Sequence, residues 1–197
     1  MQGKKILAAT ILSLALPLVG MGAHAAQPAG TFDQVQPAKN RIDFVFKQMN
    51  VPVKGHFKKA KVDLVFDPAA PANSTVRLDL DLASIDAGSA DANSEVVGKP
   101  WFDIKSFPTA TFVSSSVKPL GGDRYEMTGK LTIKGKTRDV TTPVTVTQNG
   151  NTAAFDGGFT LKRLEFAIGD GSWSDTSIVA DEVKVSFHVE AERRAAK

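Results

Sequence analysis

The chain has 197 residues, with 24 Lys and Arg against 21 Asp and Glu, and no cysteine. That length supports one good hydrophobic core, and the lack of cysteine excludes a disulfide framework, so the core alone must supply stability. The formal net charge of +3 is spread over interspersed residues rather than blocks, which suits a freely soluble protein and leaves no basic run for nucleic acid.

The N-terminus reads as an export signal. Lys4 and Lys5 precede an apolar run from Ile6 to Leu16 that Pro17 breaks, and Ala23-His24-Ala25 places small residues where a signal peptidase reads them. Cleavage is expected after Ala25, with Ala26 as the alternative, which leaves a single domain over 26–197. The run is too short to span a bilayer, so no stable membrane insertion is expected. Removing Lys4 and Lys5 leaves 24 − 2 = 22 basic against 21 acidic residues, a net +1 that says little about anionic partners. Export without cysteine points to the periplasm of a two-membrane bacterium.

Along the mature chain, residues 26–34 read as a flexible start. A first strand is expected over Arg41–Lys47, with Ile42, Phe44 and Phe46 on one face. Met49–Gly55, which contains Pro52, reads as a turn or helical bend, with His56 in a turn. A second strand over Gly55–Phe66 carries Val62, Leu64 and Phe66 in phase. After a Pro-rich loop, Thr75–Ala83 alternates strictly: Val76, Leu78, Leu80 and Leu82 oppose Arg77, Asp79 and Asp81. Residues 84–108 break the pattern. Ser89 to Val97 fits a short helix capped by Ser89 or Asp91, and Trp101, Phe102, Ile104 and Phe107 form an aperiodic aromatic cluster that reads as a lid.

Alternation resumes with Ala110 and Phe112, a turn at Gly121-Gly122-Asp123, and a long strand carrying Tyr125, Met127, Gly129, Leu131 and Ile133. Gly135-Lys136 turns into a strand with Val140, Val144 and Val146; Asn149-Gly150 signals a hairpin into Ala153, Phe155, Gly157 and Phe159. Leu164, Phe166 and Ile168 form a further short apolar phase. The last strand, Asp181–Glu192, puts Val183, Val185, Phe187 and Val189 on one face and Lys184, His188 and Glu190 on the other. Many alternating strands between turns predict an all-β sheet closed around an apolar interior, with a short helical and aromatic insertion.

Several stretches in this order resemble the YceI-like, or polyisoprenoid-binding, family of periplasmic proteins. They are Ile42-Asp43-Phe44, Val53-Lys54-Gly55-His56-Phe57, the run Trp101 to Phe112, Thr128 to Gly135, Lys162 to Gly169, and Asp181-Glu182-Val183. The resemblance implies an all-β fold, an antiparallel, lipocalin-like β-barrel of about eight strands around a long apolar ligand, such as an isoprenoid chain or a quinone. Two places depart from the family pattern: Trp101 follows Pro100 where an acidic residue and two aromatics are usual, and Ala167 stands in the glycine place of the Arg-x-x-Phe-Gly run begun by Arg163.

An inward set follows from parity, and a barrel of this size either fills with its own side chains or holds one small guest. With the resemblance, the expected ligand contacts are Phe44, Phe46, Leu64, Leu78, Leu80, Trp101, Phe102, Phe107, Phe112, Met127, Leu131, Ile133, Phe155, Phe159, Arg163, Phe166, Val185 and Phe187. Two or three isoprene units would contribute on the order of 8–12 kcal/mol gross at roughly 0.8 kcal/mol per buried CH₂, less the cost of immobilisation. Because apolar contact discriminates weakly, basic turn residues, Lys134, Lys136, Arg138 and Arg163, are the expected headgroup sensors; the alternative is that they are solvated turn charges.

Other chemistry lacks a signal. His56 and His188 are the only mature histidines and sit in no metal-ligand cluster. Asp79 and Asp81 read as exposed charge, and Gly169 to Asp175 lacks the ligand spacing of a calcium loop. No nucleophile elbow, phosphate loop or dinucleotide fingerprint occurs, so neither an enzyme nor a cofactor is expected; an isoprenoid or quinone would be ligand. The competing readings are a barrel with a filled core that binds partners, and an enzyme acting on an isoprenoid lipid, which would need an inward polar pair. An outer-membrane pore fits poorly, since Arg41, Asp43, Lys47 and Lys184 hold the outward parity. A homodimer through an edge or the mouth, and an inner-membrane redox or lipid partner, are left open.

Overall fold

The structure, a computed structural model, describes residues 30–194; the expected signal peptide and its cleavage site lie outside the described residues. Eleven strands form one antiparallel sheet: β1 (Phe32–Val35), β2 (Arg41–Gln48), β3 (Val51–Phe57), β4 (Ala60–Val65), β5 (Thr75–Asp81), β6 (Ile85–Asp86), β7 (Thr109–Gly121), β8 (Arg124–Ile133), β9 (Lys136–Asn149), β10 (Thr152–Lys162) and β11 (Glu182–Arg193). One α-helix occurs among the described residues, α1 (Ala90–Val96), which follows β6. Neighbours run in the order β4-β5-β7-β8-β9-β10-β11-β2-β3-β6, and β1 joins the C-terminal half of β11.

The sheet curls until its ends meet. Phe32 and Phe66 exchange both backbone hydrogen bonds, at 2.9 and 3.0 Å, which seals β1 against the end of β4. At the other end Lys58 N–H donates to Ser84 O and Lys59 N–H to Ser84 Oγ, tying the β3–β4 corner to the turn before β6. This is the antiparallel, lipocalin-like barrel that the resemblance implies, with eleven strands among the described residues in place of about eight, and it closes because each strand can bury only one of its two faces.

Its two ends are packed differently. At the closed end Phe66 meets Tyr125 and Phe155 edge-to-face, each at 5.2 Å between ring centres, with Phe32, Val117, Val146 and Ala191 filling the spaces between. Such crossed aromatics are favourable beyond their buried area. At the other end the sheet is covered by α1, the turns of 97–108 and the loop 163–181, not by strands.

Five local expectations are corrected. Residues 30–34 are not a flexible start: Phe32 is fully buried in β1. Met49–Gly55 is not a bend; only Met49 and Asn50 turn, both at positive φ, and β3 begins at Val51. Pro52 is tolerated because β3 takes its second partner, β6, only at His56 and Phe57, so Pro52 lies on a free edge. His56 is therefore a strand residue, and the expected second strand divides at Lys58 and Lys59 into β3 and β4. Leu164, Phe166 and Ile168 are not a strand phase, since Arg163–Phe166 winds into a 3-10 turn ended by Ala167 in the left-handed region (φ 53°).

Candidate functional site

The barrel interior is hollow. A cavity of about 560 Å³ opens between α1, the β2–β3 tip and the loop before β11, within the ordinary size of a small-molecule site. Its wall is made by inward-facing residues of β2 to β5 and β7 to β11; all four residues of the Val76 to Leu82 series and all four of the Val183 to Val189 series face it.

Three glycines help to keep the space open. Gly55, Gly129 and Gly157 each lie beneath a phenylalanine ring, of Phe44, Phe112 and Phe187 respectively, and a Cβ at any of them would collide with that ring. Phe44 is directly opposite Gly55, and Phe187 opposite Gly157, in adjacent strands. Each aromatic folds flat onto the bare backbone of its neighbour, instead of projecting to the axis, so three large side chains line the wall without plugging it.

Of the expected contacts, Phe44, Phe46, Leu64, Leu78, Leu80, Trp101, Phe102, Phe112, Met127, Leu131, Ile133, Phe155, Phe159, Arg163, Val185 and Phe187 line the cavity. Phe107 and Phe166 do not. Phe107 packs outside the barrel on Gly135, at the β8–β9 turn. Phe166 is buried behind the wall under the Arg138 guanidinium, 6.0 Å from its ring centre, because the 3-10 turn rotates it out of strand parity. Parity reasoning passed over Phe57, Val140, Leu161 and Trp173, which also line the cavity. Phe57 and Leu161 share the alternation of the strands that hold them, so that signal was available.

The basic side chains expected to sense a headgroup are committed elsewhere. Arg163 is 1% exposed, and all its N–H groups serve backbone carbonyls: Nε to Ala180 at 3.2 Å, one terminal nitrogen to Ile168 and Gly169 at 2.9 and 2.7 Å, the other to Trp173 and Val179 at 2.7 Å each. Burial pushes its pKa down, partly offset by the Asp181 carboxylate, which accepts the Leu164 N–H. Its guanidinium also stacks 5.7 Å from the ring centre of Trp101. Arg163 is thus the internal clasp of loop 163–181, not a free headgroup donor. Lys134 is a second clasp, donating to Lys99, Pro100 and Ala167 carbonyls. Arg138 donates to Glu165 O, and Lys136 is exposed and does not line the cavity.

The polar groups that do line the cavity are Gln48, Ser89, Asp91, Glu95, Thr111, Thr142 and Arg163. Thr142 is internally satisfied, donating to Gly158 O at 2.9 Å. Gln48, Ser89, Asp91 and Glu95 are exposed and form the rim. Ser89 caps α1 by accepting the Ala92 N–H, and Glu95 accepts the Trp101 indole N–H at 3.2 Å, which ties the helix to the lid. Trp101 meets Trp173 at 5.3 Å, and Phe102 meets Phe57 at 6.3 Å, so the lid rests on aromatic contacts. The rim is acidic and amide-bearing, contrary to the basic rim expected. His188 lies on the outer wall, with Nδ1 2.6 Å from Asp156, and no cluster that could hold a metal ion occurs among the described residues.

The model of the YceI-like domain matches residues 34–191. The chain belongs to the YceI-like family. Relatives include the UPF0312 protein of Azotobacter vinelandii, 29% identical over 198 residues that cover 97% of this chain and 99% of that one. The UPF0312 protein of Pseudomonas syringae pv. syringae is 30% identical, covering 88% and 92%. Among solved structures, Burkholderia cenocepacia BcnA superimposes with a TM-score of 0.78 at 52% identity, covering 80% of this chain and 99% of that one. A polyisoprenoid binding domain from Saccharophagus degradans, implicated in plant cell wall breakdown, shares the fold at TM-score 0.65 and 14% identity, covering 85% and 100%.

Proposed function

We propose that this YceI-like protein is a periplasmic carrier that encloses one long apolar amphiphile, an isoprenoid chain or isoprenoid quinone, in its barrel, and that it binds without catalysis. The observation that carries this reading is the 560 Å³ apolar cavity with its three ring-over-glycine pairs. A barrel evolved only for stability gains by filling such a void, since missing contacts cost free energy in proportion to the volume left empty. Family membership supports the same reading, as does the fold shared with a domain described as polyisoprenoid binding.

The rim refines the ligand class. The guanidinium of Arg163 has no donor to spare, and Gln48, Ser89, Asp91 and Glu95 surround the opening. Carboxylates beside an opening repel phosphate and diphosphate, so the favoured headgroup is uncharged and carries a hydroxyl or carbonyl, as in a prenol, quinol or quinone. An enzyme acting on the chain would need a polar pair deep in the barrel, and the titratable groups of the wall are the rim acids and the saturated Arg163.

Native mass spectrometry of protein gently purified from its own periplasm tests this. A mass excess released by organic extraction and assigned to a prenyl compound is the expected result. Protein that is consistently ligand-free, and that fails to bind added ubiquinone or farnesol, overturns it.

A further inference from the structure

The β2–β3 tip is built against the ordinary preferences of a hairpin. Gln48 pairs with Val51, so Met49 and Asn50 form a two-residue turn, with φ of 47° and 65°. Such a turn requires positive φ at both positions and favours Asn-Gly. Methionine has no reason of conformation to be first in it. Yet Met49 is 70% exposed, followed by Val51 at 61%, and Ile178 beside them is 39% exposed. Met49 N–H donates to Ile178 O at 2.8 Å, so the three exposed residues lie at one corner of the barrel, here called the crest. The residues next to that crest, Gln48 and Val179, bridge to each other and line the cavity. The crest is therefore the lip of the opening.

Behind it stands a basic flank that the balanced net charge conceals, because the fold assembles it from three strands. Lys54 and Lys184 face outward on either side of Val45, on one rung of the sheet, and Lys47 faces outward one rung nearer the tip. All three are exposed and have no carboxylate partner among the described residues. Glu182 shares the outward face of β11 with Lys184 but is paired across the sheet with exposed Lys162; Asp43 is one rung farther from the tip, Asp175 lies in the loop before Ile178, and the acids of the rim belong to α1, so the flank stays net basic.

We propose that Met49, Val51 and Ile178, with Lys47, Lys54 and Lys184 behind them, dock the β2–β3 lip of the mouth, rather than its acidic α1 side, onto an anionic phospholipid bilayer. Three apolar side chains at a hairpin tip are too few for a protein interface of standard size. They suit shallow insertion at the headgroup boundary, where a weak apolar signal becomes effective when joined to a basic patch. Docking stands on the crest and flank alone; its purpose, passage of an amphiphile across the lip, rests on the carrier reading above.

The test uses vesicles of phosphatidylglycerol and phosphatidylethanolamine, with phosphatidylcholine vesicles as reference and farnesol binding in solution as a separate readout. Wild-type protein is expected to co-sediment with the anionic vesicles, less at high salt and little with phosphatidylcholine. Met49→Asn, which suits the turn, is expected to keep or raise the melting temperature and retain farnesol binding while lowering vesicle partition by about tenfold or more. Lys47→Gln with Lys54→Gln is expected to lower it by about 25-fold, about fivefold per lysine. Because the chain has no cysteine, Met49→Cys carrying an environment-sensitive dye is expected to shift to the blue on anionic vesicles, whereas Leu120→Cys, exposed on the closed-end hairpin, is not. Failure of the wild type to sediment, equal sedimentation by Met49→Asn, equal dye shifts at both sites, or a lipid-free dimer that Met49→Asn dissolves would each overturn docking. Loss of farnesol binding alone would count against the carrier reading and leave docking intact.

Discussion

The closed end and the open end of the barrel use the same apolar alphabet to opposite ends. At the base, Phe32, Phe66, Tyr125 and Phe155 project inward and interlock, and Phe155 forms part of the cavity floor. Higher up, Phe44, Phe112 and Phe187 are equally large, yet they lie along the wall because a glycine stands across from or beside each. The cavity is therefore a matter of where the missing side chains are, not of how greasy the present ones are. Apolar burial is non-directional, so composition alone cannot distinguish a plug from a lining.

That contrast can be broken first at the clasp that holds the open end together. Arg163→Ala would strand five carbonyls that now share one buried guanidinium, and it is expected to lower unfolding free energy by about 3–5 kcal/mol, measured by urea denaturation. Arg163→Lys would recover little, because a point charge cannot reproduce the planar fork. Next, Phe66→Ala at the base should cost about 3–5 kcal/mol, whereas Phe159→Ala in the cavity wall should cost less than about 2 kcal/mol, since one face of that ring already lacks packing partners. Equal costs in the same denaturation series would mean that the two ends are packed alike. Smaller still, Ala167→Gly relieves a left-handed alanine at φ 53° and is expected to stabilise by about 0.5–1 kcal/mol, read as a raised midpoint.

The smallest effect concerns pH. Asp86 precedes α1 and accepts the Gly88 N–H at 3.1 Å, with Lys58 3.3 Å away, and these contacts hold its carboxyl below the ordinary 3.8. A depressed carboxylate adds stability that is complete above its unfolded value and lost as pH falls through the folded one. The melting temperature should be level from neutrality to about pH 5 and decline below about pH 4, and Asp86→Asn should flatten a small part of that decline.

Most of the strands were legible because each has one wet and one dry face, and period-two alternation survives wherever that holds. Phe32 was missed because four residues are too few to display a period, and Val51–Val53 because proline masks a strand whose edge is free. The cavity wall was legible from the same parity. Phe107 and Phe166 misled because they belong to turns, where parity has no meaning. The clasping roles of Arg163 and Lys134 are not legible, since nothing in a linear sequence tells that a charge will be enclosed by carbonyls from loops up to 17 and 35 residues away.

The seam between β1 and β11 places Thr31 and Arg194 side by side, joined by a 3.3 Å backbone hydrogen bond, at the packed base of the molecule. A tether fused beyond either position would pull on the floor of the cup and leave its brim unobstructed. Immobilised through a terminus, the protein would present its opening outward to whatever is offered in solution.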